Sequence, residues 1–177
     1  MKVFVIGIDG YLGWPLAQYL TARGHTVGGL DALLRRKWVE EVGSHSAIPI
    51  VSFEERLTAF QERFGVALDV RIGDLLDYAF LKAFLADFQP DAIVHLGEMP
   101  SAPYSMIDQA HAVFTQQNNV IGSLNVLWAM HEVCPAAHLI KLGTMGEYGT
   151  PNLDIPEGFF EVEFRGRKDT LPFPRQA

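Results

Sequence analysis

The stretch that most constrains this chain is Gly7-Ile8-Asp9-Gly10-Tyr11-Leu12-Gly13, near its beginning. It follows the apolar run at 3–6, which is short, rich in β-branched residues and typical of a buried parallel strand. It precedes residues 14–20, whose apolar positions have helical spacing. The pattern predicts a strand, a glycine-rich turn and a helix.

The spacing of the three glycines is typical of a turn that binds the diphosphate of a dinucleotide. Gly7 permits the tight turn after the strand, Gly10 lets the backbone approach the diphosphate, and Gly13 lets the helix lie close to the sheet. The N-terminus of the helix then offers backbone N–H groups to the anion. Gly7, Gly10 and Gly13 are therefore candidate cofactor-binding residues, with an ordinary strand-to-helix turn as the alternative.

Asp31 ends a second predicted strand at 25–30 and follows Gly13 by eighteen residues. Dinucleotide-binding units place an acidic residue there to hold the ribose hydroxyls. A carboxylate at this position would repel a 2′-phosphate and so favours NAD over NADP, whereas Arg35 and Arg36 nearby argue the opposite way. A residue that only caps the next segment is the alternative for Asp31.

The composition limits the classes of function. A chain of 177 residues with 49% hydrophobic residues is long enough for one core. The net charge of −7, without a basic stripe, predicts neither nucleic acid nor an anionic membrane as a partner. The single Cys134 and the absence of paired metal spacing among the six histidines predict no metal site. We expect a cytoplasmic protein, or a mature or partial chain whose leader is absent.

Five short apolar runs alternate with helical segments, which predicts an α/β fold. The runs lie at 3–6, 25–30, 67–72, 91–96 and 138–142. We predict a Rossmann-like, doubly wound parallel sheet with strand order 3-2-1-4-5, in which residues 1–150 form the dinucleotide-binding domain. The alternating residues 160–164 and the turn at 165–166 predict a hairpin, followed by an extended tail, within 151–177.

The link between the second and third strands is longer than usual. Ser52 and Glu55 form a capping box that starts a predicted helix through Phe64. We interpret residues 43–65 as an insertion, and the sequence does not show its purpose.

Polar residues follow the third, fourth and fifth strands, where the ligand of such a sheet would bind. Asp74 lies where the adenine ring is expected, and Thr144 places a hydroxyl beside glycines, able to bond a substrate hydroxyl. Asn118 and Asn119 interrupt a long predicted helix at 107–133, and a hydrogen bond between helices is the structural interpretation for them.

Tyr78 and Lys82 have the spacing of a reductase acid–base pair. Their helix lies between the third and fourth strands, far from the expected nicotinamide. We therefore interpret both as part of an ordinary helix surface.

Together these residues resemble the extended short-chain dehydrogenase/reductases that act on nucleotide sugars. Within that superfamily they resemble the UDP-sulfoquinovose synthase family of sulfolipid biosynthesis, and the likeness covers essentially the whole chain. The runs that carry it are Asp9-Gly10-Tyr11, Ala102-Pro103-Tyr104-Ser105-Met106-Ile107-Asp108, Asn118-Asn119-Val120-Ile121-Gly122 and Lys141-Leu142-Gly143-Thr144-Met145-Gly146-Glu147-Tyr148-Gly149-Thr150-Pro151-Asn152. Related 4,6-dehydratases carry Thr-Asp-Glu where this chain has Thr144-Met145-Gly146.

The resemblance implies an NAD-dependent enzyme that converts UDP-glucose and sulfite to UDP-sulfoquinovose. The implied reaction is oxidation at C4, loss of water across C5 and C6, addition of sulfite at C6 and return of the hydride. Oxidation at C4 acidifies the C5 proton, so that a nearby carboxylate could perform the elimination.

The resemblance also assigns residues to these roles. Thr144 would bond the 4-hydroxyl of the sugar, and Glu147 is a candidate for proton transfer at C5 or C6. The residues that would hold NAD are Tyr11, Leu12, Asp31, Asp74, Leu75 and Asn118. A homodimer is expected for the full-length protein, and a plastid stroma is the expected location for a plant-type relative.

Two departures from the family pattern limit what this chain is expected to do. Pro100 stands where the family often has an Arg, which removes one cofactor or substrate contact. The catalytic Tyr-x-x-x-Lys of the family lies beyond Ala177, so we expect this chain alone to bind NAD weakly or not at all and to be inactive. The alternatives are another nucleotide-sugar epimerase or dehydratase and a non-catalytic dinucleotide-binding module.

Overall fold

The computed structural model describes residues 1–143 and 158–173. Its main feature is a five-stranded parallel sheet in the order β3-β2-β1-β4-β5. The strands are β1 (Lys2–Ile6), β2 (Thr26–Asp31), β3 (Asp69–Ile72), β4 (Ala92–His95) and β5 (His138–Lys141). The predicted order is confirmed, and the strand ends differ from the prediction by at most two residues.

Helices cover both faces of this sheet. They are α1 (Gly13–Ala22), α2 (Leu34–Glu41), α3 (Phe53–Phe64), α4 (Tyr78–Phe88), α5 (Ala102–Ser105), α6 (Gln109–Gln116) and α7 (Gly122–Val133). Alternate residues of β1 point to opposite faces, so Phe4 and Ile6 contact the core beneath α4 and α7, whereas Val3 and Val5 contact the core beneath α1 and α3. This arrangement places β1 at the centre of the sheet, with its carboxyl end between those of β2 and β4.

The insertion between β2 and β3 forms α3, which begins at the predicted capping box. The Ser52 side chain accepts a hydrogen bond from the Glu55 backbone, and the Glu55 carboxylate accepts one from the Ser52 backbone at 2.9 Å. Phe53 and Phe60 are buried, and their rings contact Trp14 of α1. The insertion is therefore part of the core beside the glycine-rich turn.

The long helix predicted at 107–133 is interrupted at Asn118 and Asn119, as the sequence indicates, and begins two residues later than predicted. It consists of α6, a π-helical turn at Gln117–Ile121 and α7. The Gly122 N–H donates to the Gln117 carbonyl, five residues earlier, so the turn holds one more residue than an α-helical turn. The extra residue changes the direction in which Asn118 and Asn119 project.

The chain divides into two compact units, Met1–Lys141 and Leu142–Ala177. In the second unit, β6 (Gly158–Phe164) and β7 (Arg167–Phe173) form an antiparallel hairpin. Arg165 and Gly166 both have positive φ, at 52° and 74°, as the tight two-residue hairpin turn requires.

Within the ranges that the structure describes, no helix combines the length and apolar character needed to cross a bilayer. Those ranges also contain no group of three or more His, Cys, Asp or Glu side chains that could hold a metal ion.

Candidate dinucleotide-binding site

The glycine-rich turn lies at the carboxyl end of β1. Gly7 has a φ of +82°, and its N–H donates to the Leu30 carbonyl at 2.9 Å, which fixes the start of the turn against β2. A Cβ on Gly13 would lie 2.1 Å from the Gly7 carbonyl oxygen. Gly13 is therefore required for the close approach of α1 to the turn, as the sequence predicts.

Gly10 is in a more open position. A Cβ there would meet only the Gly7 carbonyl oxygen, at 3.1 Å. The next two side chains project outward, since Tyr11 is 94% exposed and Leu12 is 51% exposed. Among the described residues, the backbone N–H groups of Tyr11, Leu12 and Gly13 have no acceptor. The turn thus presents unused donors at a helix N-terminus, which is an arrangement that binds a diphosphate.

Asp31 lies at the end of β2, next to the turn. Its carboxylate accepts hydrogen bonds from the Asp9 N–H at 2.9 Å and from the Leu33 N–H at 2.7 Å. Burial raises the pKa of Asp31 above its usual value, although both N–H donors act in the opposite direction. A more basic carboxylate is a stronger acceptor, which suits a residue that bonds ribose hydroxyls. The capping interpretation is correct in part, because the bond to Leu33 stabilises the turn before α2.

Asp9 is the centre of an ion-pair cluster that the sequence analysis did not identify. Its carboxylate, 7% exposed, accepts hydrogen bonds from Arg36 Nε at 2.7 Å and Arg36 Nη2 at 3.0 Å. Arg56 of α3 donates to the Asp9 carboxylate and, at 2.8 Å, to the Asp9 carbonyl oxygen. The guanidinium of Arg56 also lies over the Trp14 ring, 4.5 Å from its centroid.

The capping box gives only part of the signal for this cluster. It places Arg56 in the first turn of α3, but nothing in the sequence pairs that residue with Asp9. In the sequence, Arg36 is a basic residue beside the predicted ribose site and argues against a preference for NAD. The structure shows it paired with Asp9 instead.

Asp74 and Leu75 follow β3. The Asp74 carboxylate accepts a hydrogen bond from the Leu76 N–H at 2.9 Å, so it shapes the backbone turn at this end of the sheet. The Leu75 side chain is buried in the core beneath α4 and α7. Contact between Leu75 and a dinucleotide is therefore limited to its backbone.

Asn118 and Asn119 connect the π-helical turn to the loop after β4. Asn118, which is buried, donates to the Gly97 carbonyl at 3.3 Å and to the Asn119 side-chain oxygen at 2.9 Å. Asn119 bonds both backbone groups of Met99, accepting from its N–H at 2.8 Å and donating to its carbonyl at 3.0 Å. The expected partner was another helix, whereas the observed partner is the loop that lies over the sheet edge.

A second network of hydrogen bonds, which starts at His95 of β4, fixes the same loop. The ring Nδ1 of His95 accepts from the Gly97 N–H at 3.3 Å, and its Nε2 lies 3.2 Å from the Ser123 hydroxyl. Ser123 donates to Glu98 at 3.3 Å, and Lys141 forms an ion pair with Glu98 at 2.7 Å. Burial lowers the pKa of His95 to about 4, so the ring is neutral at physiological pH and Nε2 carries its hydrogen.

Contacts between α2 and the helices after β4 close the outer side of this region. The Trp38 ring contacts the rings of Tyr104 and Phe114. The Tyr104 hydroxyl donates to Glu41 at 2.8 Å, and His111 Nε2 lies 3.2 Å from the same carboxylate. Because β2 and β4 flank β1, these contacts join the segments on either side of the glycine-rich turn.

Tyr78 and Lys82 both bond Glu132 of α7, with the Tyr78 hydroxyl 2.6 Å from its carboxylate. They join two helices on one face of the sheet, in agreement with the rejection of an acid–base role. The two predicted catalytic residues, Thr144 and Glu147, lie outside the described residues.

The residues at the carboxyl end of β1 fit a dinucleotide. Gly10 leaves open space above the turn, the N–H groups of Tyr11 and Leu12 are available, and Asp31 lies at the adjacent strand end. An anion of diphosphate size and a ribose diol are the groups that this donor and acceptor set would bind.

Comparisons with known proteins agree with this geometry. The model of the NAD dependent epimerase/dehydratase family matches residues 3–165. A UDP-sulfoquinovose synthase from Spinacia oleracea is 50% identical over 176 residues, which is 99% of this chain and 36% of the relative. The UDP-sulfoquinovose synthase of Sulfolobus acidocaldarius is 49% identical over 178 residues, which is 100% of this chain and 45% of the relative. The chain thus spans about two fifths of the length of these relatives.

A solved UDP-glucose 4-epimerase from Brucella ovis, in complex with NAD, has the same fold. It matches with a TM-score of 0.64 and 22% identity, over 89% of this chain and 39% of that structure. The resemblance to UDP-sulfoquinovose synthases that the sequence motifs indicate is confirmed by the two curated relatives. The match of the family model over nearly the whole chain shows that this chain belongs to the NAD-dependent epimerase/dehydratase family.

Proposed function

We propose that the protein to which this chain belongs converts UDP-glucose and sulfite to UDP-sulfoquinovose with NAD as cofactor. The observation that carries the proposal is the 50% and 49% identity, over essentially the whole chain, to two proteins named UDP-sulfoquinovose synthase. The chain would supply the part that binds NAD. Bound NAD would accept the hydride from C4 of the sugar and later return it.

The turn would bind the diphosphate of NAD. Gly7 and Gly13 shape the turn, Gly10 provides space, and the N–H groups of Tyr11 and Leu12 donate to the diphosphate oxygens. Asp31 would accept hydrogen bonds from the adenosine ribose.

The adenine would lie beyond Asp31, near Asp74 and the backbone of Leu75. Asn118 would act on the other side of the turn, where it fixes the carbonyl of Gly97. A dinucleotide that crosses the end of β1 passes between these two groups of residues.

Thr144 and Glu147 are proposed as catalytic residues. The Thr144 hydroxyl would bond the 4-hydroxyl of the sugar and orient it for hydride loss. Glu147 would move the proton at C5 or C6 during loss of water. Both follow β5, whose carboxyl end lies beside that of β4 in the sheet.

A homodimer is proposed for the full-length protein. Several large apolar side chains of α6, the π-helical turn and α7 are at least 40% exposed: Val113, Val120, Ile121, Leu124, Leu127 and Trp128. Exposed apolar helix surfaces of this kind are typical of subunit interfaces. Sulfite, or a protein that delivers it, would be the other partner. Because the chain has a single cysteine, which is buried and unpaired, a reducing compartment such as the cytoplasm or the plastid stroma suits it.

Another nucleotide-sugar epimerase or dehydratase is the second candidate. A UDP-glucose 4-epimerase from Mycolicibacterium smegmatis is 32% identical over 85% of this chain, and the solved structures of this fold include several 4-epimerases. The difference between the two candidates is the requirement for sulfite.

The test is to incubate the protein, in its natural length, with UDP-glucose and NAD in the presence and absence of sulfite. UDP-sulfoquinovose that forms only with sulfite supports the proposal. UDP-galactose formed without sulfite would support an epimerase instead. In the same assay, Thr144→Ala should reduce hydride transfer and leave the affinity for NAD nearly unchanged. Hydride transfer at the wild-type rate in this variant would contradict the role of Thr144.

A further inference from the structure

The Asp9 cluster lies where a dinucleotide would present the 2′ position of its adenosine ribose. The Asp9 N–H donates to the Asp31 carboxylate at 2.9 Å, so the two acidic residues are neighbours. Asp31 is the proposed ribose acceptor, and NADP differs from NAD by a phosphate on that same ribose. Arg36 is close enough to both carboxylates that each raises the pKa of its guanidinium, mainly through the hydrogen bond with Asp9.

An arginine beside this ribose ordinarily accommodates a 2′-phosphate. Here each of the three guanidinium nitrogens of Arg36 already has an acceptor, because Nε and Nη2 donate to Asp9 and Nη1 donates to the Val51 carbonyl at 2.9 Å. Arg56 is engaged as well, by the Asp9 carboxylate, the Asp9 carbonyl oxygen and the face of Trp14. Both guanidinium groups are thus turned toward a protein carboxylate.

We propose that Asp9 determines the preference of this site for NAD over NADP by withholding Arg36 and Arg56 from a 2′-phosphate. The inference deepens the proposed function and rests on it, since it assumes that the turn binds a dinucleotide. A 2′-phosphate would have to displace a carboxylate that is 7% exposed and bidentate to Arg36. It would also face the charge of Asp31, which lies at the same strand end.

The inference gives the insertion between β2 and β3 a purpose. Arg56 lies on α3, and Val51, which accepts from Arg36, lies just before it. Trp14, Phe53 and Phe60 pack α3 against α1, so Arg56 projects from a helix that is anchored in the core, and the Val51 carbonyl lies just before that helix. Without the insertion, Asp9 would lose one of its two guanidinium partners.

The test compares dissociation constants of NAD and NADP by titration calorimetry, on the protein in its natural length. Asp9→Asn keeps the shape of the side chain and removes its charge. The ratio of the NADP constant to the NAD constant should fall by at least about tenfold, which corresponds to about 1.4 kcal/mol. Asp87→Asn is the matched control, because it removes the same charge from an exposed ion pair with Arg71 and should leave the ratio unchanged.

Two double variants keep the test decisive if unpaired arginines destabilise Asp9→Asn. Asp9→Asn with Arg56→Met removes one charge of each sign and leaves Arg36 free, so it should also favour NADP. Asp9→Asn with Arg36→Gln removes the guanidinium beside Asp31, so this variant should not show the increase in affinity for NADP relative to NAD. Thermal melting of each variant establishes that it is folded.

The outcomes separate the two proposals. If the parent protein binds NAD and the ratio is unchanged in the Asp9 variants that retain Arg36, the inference about Asp9 is wrong and the proposed function stands. A parent protein that binds NADP as tightly as NAD would also overturn the inference. A parent protein that binds neither dinucleotide would overturn both.

Discussion

At the scale of single residues, the glycines of the turn do different work. Gly13 is required by the fold, because the position of its missing Cβ is taken by backbone atoms. Gly10 is not required by the fold, since the space beside it is mostly open. The same residue type thus serves packing at position 13, whereas at position 10 it leaves the open space in which we propose that the diphosphate binds. Substitutions can separate the two roles.

Gly13→Ala should lower the free energy of unfolding by about 3 kcal/mol or more, because its Cβ would lie 2.1 Å from the Gly7 oxygen and 2.8 Å from the Ile8 Cα. Gly10→Ala should cost about 1 kcal/mol or less, since its nearest contact is at 3.1 Å. Urea denaturation of both variants measures the difference. Equal destabilisation would contradict the close packing of α1 on the turn.

His95 gives a pH dependence of known sign. Its pKa is about 4 in the folded protein and 6.5 in the unfolded chain, so between these values only the unfolded chain binds the proton. Stability is therefore lost as the pH falls from 6.5 to 4, by about 3 kcal/mol from this residue. In His95→Gln, this part of the decrease in unfolding free energy between pH 6.5 and 4 should disappear.

Denaturation of the parent and the variant at several pH values between 4 and 7 checks this. The difference in unfolding free energy between the two proteins should shrink as the pH falls. A difference that is constant over this range would mean that His95 is not buried in its neutral form.

At the scale of elements, the π-helical turn positions the loop after β4. Asn119 bonds both backbone groups of Met99, a residue that is 3% exposed, so these groups have no access to water as a substitute partner. One side chain thereby secures the loop at the sheet edge where ligands of such folds bind.

Asn119→Ala should destabilise the protein by about 2 kcal/mol, because two buried backbone groups of Met99 lose their partner. The exposed Gln117 lies in the same π-helical turn, and Gln117→Ala should change stability by less than about 0.5 kcal/mol. Hydrogen exchange at the Met99 N–H should become faster in Asn119→Ala alone. Similar exchange in both variants would contradict the role of Asn119.

The elements also show what a sequence can predict. The strands followed from alternating apolar runs and helical segments, and α3 followed from its capping box, because both signals are local. The order of the strands followed from the doubly wound topology that such an alternation indicates. The pairing of Asp9 with Arg56 joins residues that are 47 positions apart, and no local pattern encodes it. For the π-helical turn, the sequence indicates only an interruption of the helix. The π-helical geometry is not predictable from the apolar spacing, because one extra residue in a turn leaves that spacing nearly intact.

At the scale of the whole molecule, α6, the π-helical turn and α7 expose an apolar surface of the kind that subunits bury against each other. Trp128 is 54% exposed and Leu127 is 53% exposed, on a helix whose other face contacts the core. A second copy of the protein is the proposed partner.

In the full-length protein, Trp128→Glu should shift the dimer to monomer, because a charge would be buried within the proposed interface. Tyr19→Glu, at a similarly exposed aromatic residue on α1, is the matched control and should leave the mass unchanged. Sedimentation of both variants at the same concentration measures the effect. A parent protein that sediments as a monomer would contradict the proposed dimer.

We propose that the turn at 7–13 binds the diphosphate of NAD. A crystal structure of the natural-length protein with NAD tests it most directly. The diphosphate oxygens should lie within hydrogen-bond distance of the Tyr11 and Leu12 N–H groups, and a ribose hydroxyl should be bonded to Asp31. NAD bound anywhere else on the protein would contradict the account.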